Sequence, residues 1–316
     1  MTARKHKKVV VIGAGSVGTT YIYAMLQKGV AEEIVLLDLD RKRVDGEVMD
    51  LSHGLPYIPP AQVRGGDYDE CADASLIVVT AGARQAPGQS RLELVQKNAE
   101  IVRDICIEIA KTDTEAVLIM VTNPVDTLTH IALETLGWSP RRVIGSGTVL
   151  DSARFRYMIG SHCDIDIHNI HAYVLGEHGD SEFPAWSLTH IAGVQIKEYC
   201  RICGKCDSDM STLKSLFERV RNSAYHIIDY KGSTYFGIGM SLVRISGAVL
   251  RNEKSILAVS SMAKGHYGLP EVCLSIPAVV GEDGIKQLLT PEFPPDELEA
   301  LRKSADVIRS TYESIS

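Results

Sequence analysis

A histidine held between glycines is the chain's clearest chemical group. In the segment His171-Ala-Tyr-Val-Leu-Gly-Glu-His-Gly-Asp180, Val174 and Leu175 end an apolar run, and Gly176 and Gly179 bracket His178. A histidine placed at a strand end by glycine turns can present its ring to a cleft. Its ordinary pKa of about 6.5 suits proton exchange near neutrality. Asp151 and Arg154 stand three residues apart in a helical pattern, so they share a helix face. An aspartate can fix a histidine's tautomer and favour its charged form, and an arginine can grip a carboxylate at two points. Taken singly, these residues also read as a loop histidine and a helix-surface ion pair. Their meaning depends on what positions them.

The N-terminal part supplies a nucleotide-binding frame. A short apolar strand, Lys8 to Ile12, runs straight into Gly13-Ala-Gly-Ser-Val-Gly18. A helical segment, Thr19 to Lys28, follows and is closed by Gly29. A second strand, Glu33 to Leu37, ends in Asp38, twenty residues after Gly18. Strand, glycine turn, helix, strand and acidic residue at this spacing form a dinucleotide-binding pattern. Gly13 permits the tight turn, Gly15 lets a pyrophosphate approach the backbone, and Gly18 lets helix and strand pack closely. The helix N-terminus then faces the phosphates. Asp38 can accept hydrogen bonds from both ribose hydroxyls and would repel a 2′-phosphate, which favours NAD over NADP.

Strand–helix alternation continues through Ser75–Thr80, Leu92–Lys111 and Ala116–Val121 up to Val143-Ile-Gly-Ser146. It predicts a Rossmann-type α/β domain over residues 1–146, with a parallel sheet and helices on both faces. Ligands belong beyond the carboxyl ends of its strands, where Asn123 and the Ala81–Arg91 loop fall. That loop carries Gln-Ala-Pro-Gly-Gln-Ser and reads either as a mobile lid or as an ordinary connector. After residue 146 longer helices appear, Asp151–Gly160, Met210–Tyr230, Thr234–Arg251 and Pro295–Ile315. Strands at Ile167–Leu175, Ser255–Ser261 and Val272–Val280 lie among them, so residues 147–316 read as an α+β catalytic domain with no linker.

Composition narrows the function classes. The 316 residues are 45% hydrophobic and 23% charged, ordinary values for a soluble globular chain. A net charge of −7 disfavours nucleic acid, and the basic run Arg4-Lys-His-Lys-Lys8 is short. No segment has the apolar length of a membrane span and no signal peptide is evident, so the expectation is a cytoplasmic protein without membrane contact. Seven cysteines are too few for a disulfide scaffold at this length. Cys200, Cys203 and Cys206 form C-x2-C-x2-C, a spacing that could begin a zinc or iron–sulfur site. The expected fourth cysteine is missing, and the stretch reads as a surface loop, so no metal is assigned.

Taken together, the pattern resembles the lactate/malate dehydrogenase superfamily, in particular its bacterial lactate branch. The resemblance covers nearly the whole chain. It rests on Gly13-x-Gly-x-x-Gly18, Asp38, Gly82-Ala-Arg-Gln85, Ser90-Arg91, Asn123-Pro-Val-Asp126, Gly145-Ser-Gly-Thr-Val-Leu-Asp-Ser-Ala-Arg154 and Gly176-Glu-His-Gly-Asp180. It implies reversible NADH-dependent reduction of pyruvate to L-lactate. His178 would be the acid/base, Asp151 the partner that orients it, Arg154 the clamp on the substrate carboxylate, and Arg91 the residue polarising the carbonyl when the loop closes. Gln85, Asn123, Asp126 and Thr234 match further substrate positions. Gly13, Gly15, Val17, Gly18, Asp38, Arg43, Tyr68, Gly82, Ala83, Val121, Asn123 and Ser146 match cofactor positions. The family usually has lysine where Arg43 stands.

The resemblance also frames the substrate choice. The malate branch has arginine where Gln85 stands, and that arginine pairs with the second carboxylate of oxaloacetate. A neutral glutamine leaves such a carboxylate without a cation in a closed site, which favours pyruvate. Arg156 and His171 match positions at which many bacterial relatives bind fructose 1,6-bisphosphate across a subunit interface, implying an effector site in a homotetramer. The alternatives are a malate or broad 2-hydroxy-acid dehydrogenase, an NAD-dependent glycosidase with a metal-centred site, and a non-catalytic NAD sensor.

Overall fold

The computed structural model describes residues 6–84, 88, 90–206 and 210–315. Arg4 and Lys5 of the basic run and most of the loop before Arg91 lie outside them. The first half alternates as anticipated. Strand β1 (Lys8–Ile12) leads to helix α1 (Ser16–Lys28), β2 (Glu33–Leu37), α2 (Arg41–His53), β3 (Gln62–Gly65) and β4 (Leu76–Val79). Then come α3 (Arg91–Ala110), β5 (Val117–Met120), α4 (Val125–Leu136), β6 (Val143–Gly145) and α5 (Val149–Cys163). The six strands are parallel, in the order β6-β5-β4-β1-β2-β3. Both faces are covered, which is why the strands are almost wholly apolar rather than alternating. Val9 and Val11 enter one core while Val10 and Ile12 enter the other. Ser90 and Glu93 form a reciprocal cap that starts α3 just behind the loop.

The second half builds two small sheets of its own and also extends the first. Its small strands are β7 (Ile170–His171), β8 (Val174–Leu175), β9 (Phe183–Pro184), β10 (His190–Ile191) and β11 (Val194–Gln195). Helices α6 (Ile196–Cys203), α7 (Ser211–Lys231) and α8 (Phe236–Leu250) follow. The chain ends in β12 (Ser255–Met262), β13 (Cys273–Gly281), β14 (Gly284–Leu288) and α9 (Pro295–Glu313). Ser260 of β12 pairs antiparallel with Gly145 of β6, so β12, β13 and β14 extend the parallel sheet to nine strands. The sheet thus runs across residue 146, and α8 packs on α1, where Tyr21 Oη and Ser246 Oγ lie 2.7 Å apart.

Two expectations are corrected. The strand expected over Ile167–Leu175 is broken into a 3-10 turn, β7 and β8. Its backbone is satisfied elsewhere: Val174 N–H donates to Ser152 Oγ at 2.9 Å, and Val174 C=O accepts from Thr148 Oγ1. β8 still pairs with β9, and on its other edge side chains from the start of α5 take the place of a second strand. The cysteine stretch is not a simple surface loop either. Cys200 and Cys203 lie on α6, and Cys200 is buried with Ile196 against α5 and α7, where a thiol packs as a small hydrophobe.

Candidate active site

Helix α5 organises the site because two kinds of residue alternate on its first turns. Thr148 and Ser152 fasten β8, the strand that leads to His178. Between them, Asp151 points to the histidine itself. Asp151 is only 3% exposed; its Oδ2 lies 2.7 Å from His178 Nδ1, and its Oδ1 accepts from Arg154 Nη1 at 2.8 Å. The carboxylate can only accept, so Nδ1 carries the proton and Nε2 is left for the cleft. The loop backbone is held as firmly. His178 N–H donates to Asp126 Oδ2 at 2.7 Å. Gly176 exchanges two backbone hydrogen bonds with Ser275, each 2.9 Å. Its φ is +90°, and a Cβ there would fall 2.4 Å from Ser304 Oγ, so glycine is required.

The electrostatics follow from this packing. Burial opposes a charge on His178, but the adjacent Asp151 carboxylate, by charge and hydrogen bond, more than offsets it and raises the imidazole to about 9. Burial likewise opposes the Asp151 charge, and His178 and Arg154 overcome it, holding the carboxyl below its ordinary range. Asp126 is buried and pushed up to about 6 by burial, although the Ser260 hydroxyl and the His178 N–H both favour its charged form. It therefore sits beneath the loop and supports the His178 backbone. Glu182 escaped the sequence reading. It is buried with a carboxyl oxygen within 4.8 Å of the Asp151 and His178 polar atoms, and burial beside Asp151 keeps its acid neutral well above the usual carboxylate range. Its only sequence signal is an acidic side chain next to the apolar Phe183.

The other expected substrate residues are more dispersed. Asn123 is exposed at the carboxyl end of β5. Buried Asn98 clamps the neighbourhood, accepting from Ala83 N–H at 2.7 Å and donating to Asn123 C=O at 3.0 Å. Asn98 was also missed; a buried amide on the apolar face of a helix was the available signal. Arg91 is 75% exposed and lies 3.9 Å from Asp180 Oδ2, away from Asp151 and Arg154. Thr234 is half-buried just ahead of α8, without a hydrogen bond to His178, Asp151 or Arg154. Gln85 lies outside the described residues.

A cleft of about 970 Å³ opens at the carboxyl ends of β1, β2 and β4. Gly13, Gly15, Asp38, Arg43, Tyr68, Gly82 and Ala83 line it. Its shape fits a dinucleotide. A Cβ on Gly15 would meet nothing within 4 Å, so the backbone there is open to a ligand, and α1 begins at Gly15 with no side-chain cap and no acidic residue in its first turn. A Cβ on Gly18 would fall 2.1 Å from Gly13 O, which explains the third glycine as packing. Asp38 accepts from Ala14 N–H at 2.7 Å and Asp40 N–H at 3.0 Å, which fixes a carboxylate at the cleft while leaving lone pairs for hydroxyls. Val17, Gly18, Val121, Asn123 and Ser146 do not line this cleft. Val121 and Ser146 instead follow β5 and β6, along the sheet towards α5 and the histidine.

Arg156 is half-buried, its Nε donating to Ser152 C=O at 3.3 Å, and burial lowers its pKa. His171 is exposed on β7, paired in register with His190 of β10. Among the described residues no hydrogen bond or ion pair joins the two.

The chain matches known proteins over its whole length. Residues 7–145 match the model of the lactate/malate dehydrogenase NAD binding domain, and residues 148–316 that of the family's alpha/beta C-terminal domain. An L-lactate dehydrogenase of Treponema denticola is 49% identical over 313 residues, 99% of each chain. One from Acetivibrio thermocellus is 46% identical over 309 residues, 98% of this chain and 97% of that one. Among solved structures, a lactate dehydrogenase from a Medee basin deep-sea metagenome library superposes with a TM-score of 0.95 at 41% identity, covering 98% of this chain and 99% of that one. The minor L-lactate dehydrogenase of Enterococcus mundtii gives 0.95 at 39%, covering 99% of both. Two family models that together span the chain, joined to a His178–Asp151–Arg154 arrangement and a glycine-lined cleft at the strand ends, show that this chain belongs to the lactate/malate dehydrogenase family.

Proposed function

We propose that the chain is an NAD-dependent L-lactate dehydrogenase that reduces pyruvate to L-lactate reversibly. The observation that carries this reading is the division of Asp151 between His178 and Arg154, which sets a proton donor beside an anion-binding guanidinium. Gly13, Gly15, Asp38, Arg43, Tyr68, Gly82 and Ala83 would hold the cofactor, with Val17, Gly18, Val121, Asn123 and Ser146 around them. When bound, the reduced nicotinamide supplies the hydride. Arg154 takes the pyruvate carboxylate in two-point fashion. His178 Nε2 donates its proton to the keto oxygen, and Asp151 stabilises the imidazolium before transfer. Arg91, brought in as the loop closes, polarises the carbonyl, and closure excludes water. Asn123 and Thr234 complete the substrate surroundings, and Asp126 positions the histidine loop.

Relatives at 44–49% identity carry the name L-lactate dehydrogenase, which supports pyruvate over oxaloacetate. Gln85 points the same way, since its neutral amide leaves a second substrate carboxylate unpaired. NADH oxidation should be followed with pyruvate, oxaloacetate and longer 2-keto acids. Preference for pyruvate that shifts towards oxaloacetate in Gln85→Arg supports the reading; equal use of both acids by the unaltered protein refutes it.

The reading extends to a homotetramer with an effector site for fructose 1,6-bisphosphate at Arg156 and His171, two groups suited to a phosphate. Its test is the apparent KM for pyruvate with and without the bisphosphate across pH 6–8, with mass measured in solution. A lowered KM that Arg156→Gln abolishes supports it. No response anywhere in that range removes it. The location proposed is the cytoplasm; among the described residues no helix is long and apolar enough to cross a membrane.

A further inference from the structure

The ends of α5 and α6 bring together sulfur atoms that the reaction does not use. Cys163 is the last residue of α5, and Asp164 then turns the chain with φ 58°. Cys203 is the last residue of α6, followed by Gly204 at φ 65°, which folds Cys206 back towards it. The Cys163, Cys203 and Cys206 sulfurs all lie within 4.8 Å of one another. Cys203 Sγ is 3.8 Å from Cys206 Sγ, and His162 Nε2 is 3.6 Å from Cys206 Sγ.

We propose that Cys163, Cys203 and Cys206, whose sulfurs already converge, form a structural zinc site, with His162 turning in from beside Cys206 as the fourth ligand. A tetrahedral zinc with bonds of about 2.3 Å to sulfur and about 2.0–2.1 Å to nitrogen needs sulfur–sulfur edges of about 3.8 Å and sulfur–nitrogen edges of about 3.6 Å. The Cys203–Cys206 and Cys206–His162 pairs already have those separations. Cys200 is the remaining candidate for the fourth position. It is as buried as Cys163 in the same apolar cluster but is not among the converging sulfurs, so using it would pull a packed side chain across, whereas His162 is half-buried beside Cys206 and turns with less repacking. The surroundings suit the ion's charge. Three thiolates, neutral imidazole and zinc leave one net negative charge, and Lys205 Nζ, bonded to Cys163 C=O at 3.3 Å, stands next to it. Binding releases three thiol protons to solvent and involves no redox change.

The site ties α6 to the far end of the helix that carries Asp151 and Arg154. Twelve residues separate Asp151 from Cys163, about 18 Å along α5. Zinc here secures the framework that holds the catalytic helix without touching substrate.

The test uses the full chain expressed with zinc in the medium and purified without chelator. Elemental analysis is expected to give one zinc per chain, and a strong chelator to release it while three further thiols become reactive and the melting temperature falls by several degrees. Cobalt(II) loaded into stripped protein is expected to show thiolate-to-cobalt charge-transfer bands with the intense visible transitions of a tetrahedral ion. Cys206→Ser should abolish zinc retention, His162→Gln should weaken it, and Cys200→Ser should keep it. Because Cys206→Ser could fail to fold, the chelator experiment on the unaltered chain stands alone. Purified protein with no stoichiometric zinc and freely reactive thiols overturns the site. So does a Cys203–Cys206 disulfide in protein prepared without oxidant. Zinc lost in Cys200→Ser but kept in His162→Gln overturns the proposed ligand set.

Discussion

Asp151 Oδ2 lies 2.7 Å from His178 Nδ1, and this contact fixes both the tautomer and the charge of the histidine. The free imidazole value of 6.5 becomes about 9 because the carboxylate outweighs burial. The sign is that of a group whose folded pKa is raised: the charged form is favoured by folding, fully below about 6.5, and that advantage disappears as pH rises through about 9. Reduction of pyruvate consumes a proton from His178, so its kcat/KM should be flat at neutral pH and fall above about 9. Oxidation of lactate needs the neutral ring and should rise towards the same pH. In Asp151→Asn, burial loses its largest opponent, leaving only the smaller effects of Glu182 and Asp126, so the limb of the reduction profile should move to lower pH and the rate at pH 7.5 should fall by about 10²–10⁴. Steady-state profiles in both directions check this; a reduction limb unmoved in Asp151→Asn would count against it.

Arg154 is bound to the other oxygen of Asp151 before any substrate arrives. The guanidinium is thus already oriented, and its remaining N–H groups are free for a carboxylate. Arg154→Lys keeps the charge but loses the planar fork. It should raise the KM for pyruvate about 10–100-fold, with a smaller change in kcat and an unchanged dissociation constant for NADH. Lys at this position with normal KM would show that a point charge suffices.

Part of the site was legible in the sequence for a physical reason, and the limits of that reading are physical too. Glycine turns, strand ends and acidic residues at fixed spacing are local features, so Gly13–Gly18, Asp38 and Gly176–Gly179 announce themselves in the sequence. Asn98 and Glu182, and the contacts by which Asp126 holds the His178 N–H 52 residues away and Ser152 holds Val174, join residues distant in the chain. Nothing in a linear pattern brings them together. The same holds for the break between β7 and β8, where apolar residues predict a continuous strand but Ser152 takes the backbone hydrogen bond. It holds also for the sulfur cluster, whose nearest partner, Cys163, comes from another helix.

Asp38 should decide between the two nicotinamide cofactors. Its carboxylate is held by Ala14 and Asp40 N–H groups at the mouth of the cleft. A 2′-phosphate there meets a fixed negative charge. Asp38→Ser should lower kcat/KM for NADH by about tenfold or more and raise it for NADPH, aided by the neighbouring Arg41 and Arg43. Titration of both cofactors against the variant is the measurement, and unaltered discrimination would place the selecting contact elsewhere.

Arg91 pairs with Asp180 at 3.9 Å, with both side chains largely exposed. Such a pair is weak, about 0–1 kcal/mol, and so is easily exchanged for a substrate contact. If Arg91 enters the site on closure, it must leave Asp180, which is itself held by Tyr225 Oη at 2.9 Å. Asp180→Asn should therefore favour closure slightly and lower the KM for pyruvate up to a few-fold, more at low ionic strength than at high. Arg91→Gln should instead reduce kcat by about 10²–10³ while NADH binding is preserved, because its charge matters only against the developing oxyanion. Measuring both variants at two salt concentrations separates the roles: a salt-insensitive Asp180→Asn would remove the ion pair from the closing step, whatever Arg91 does once inside.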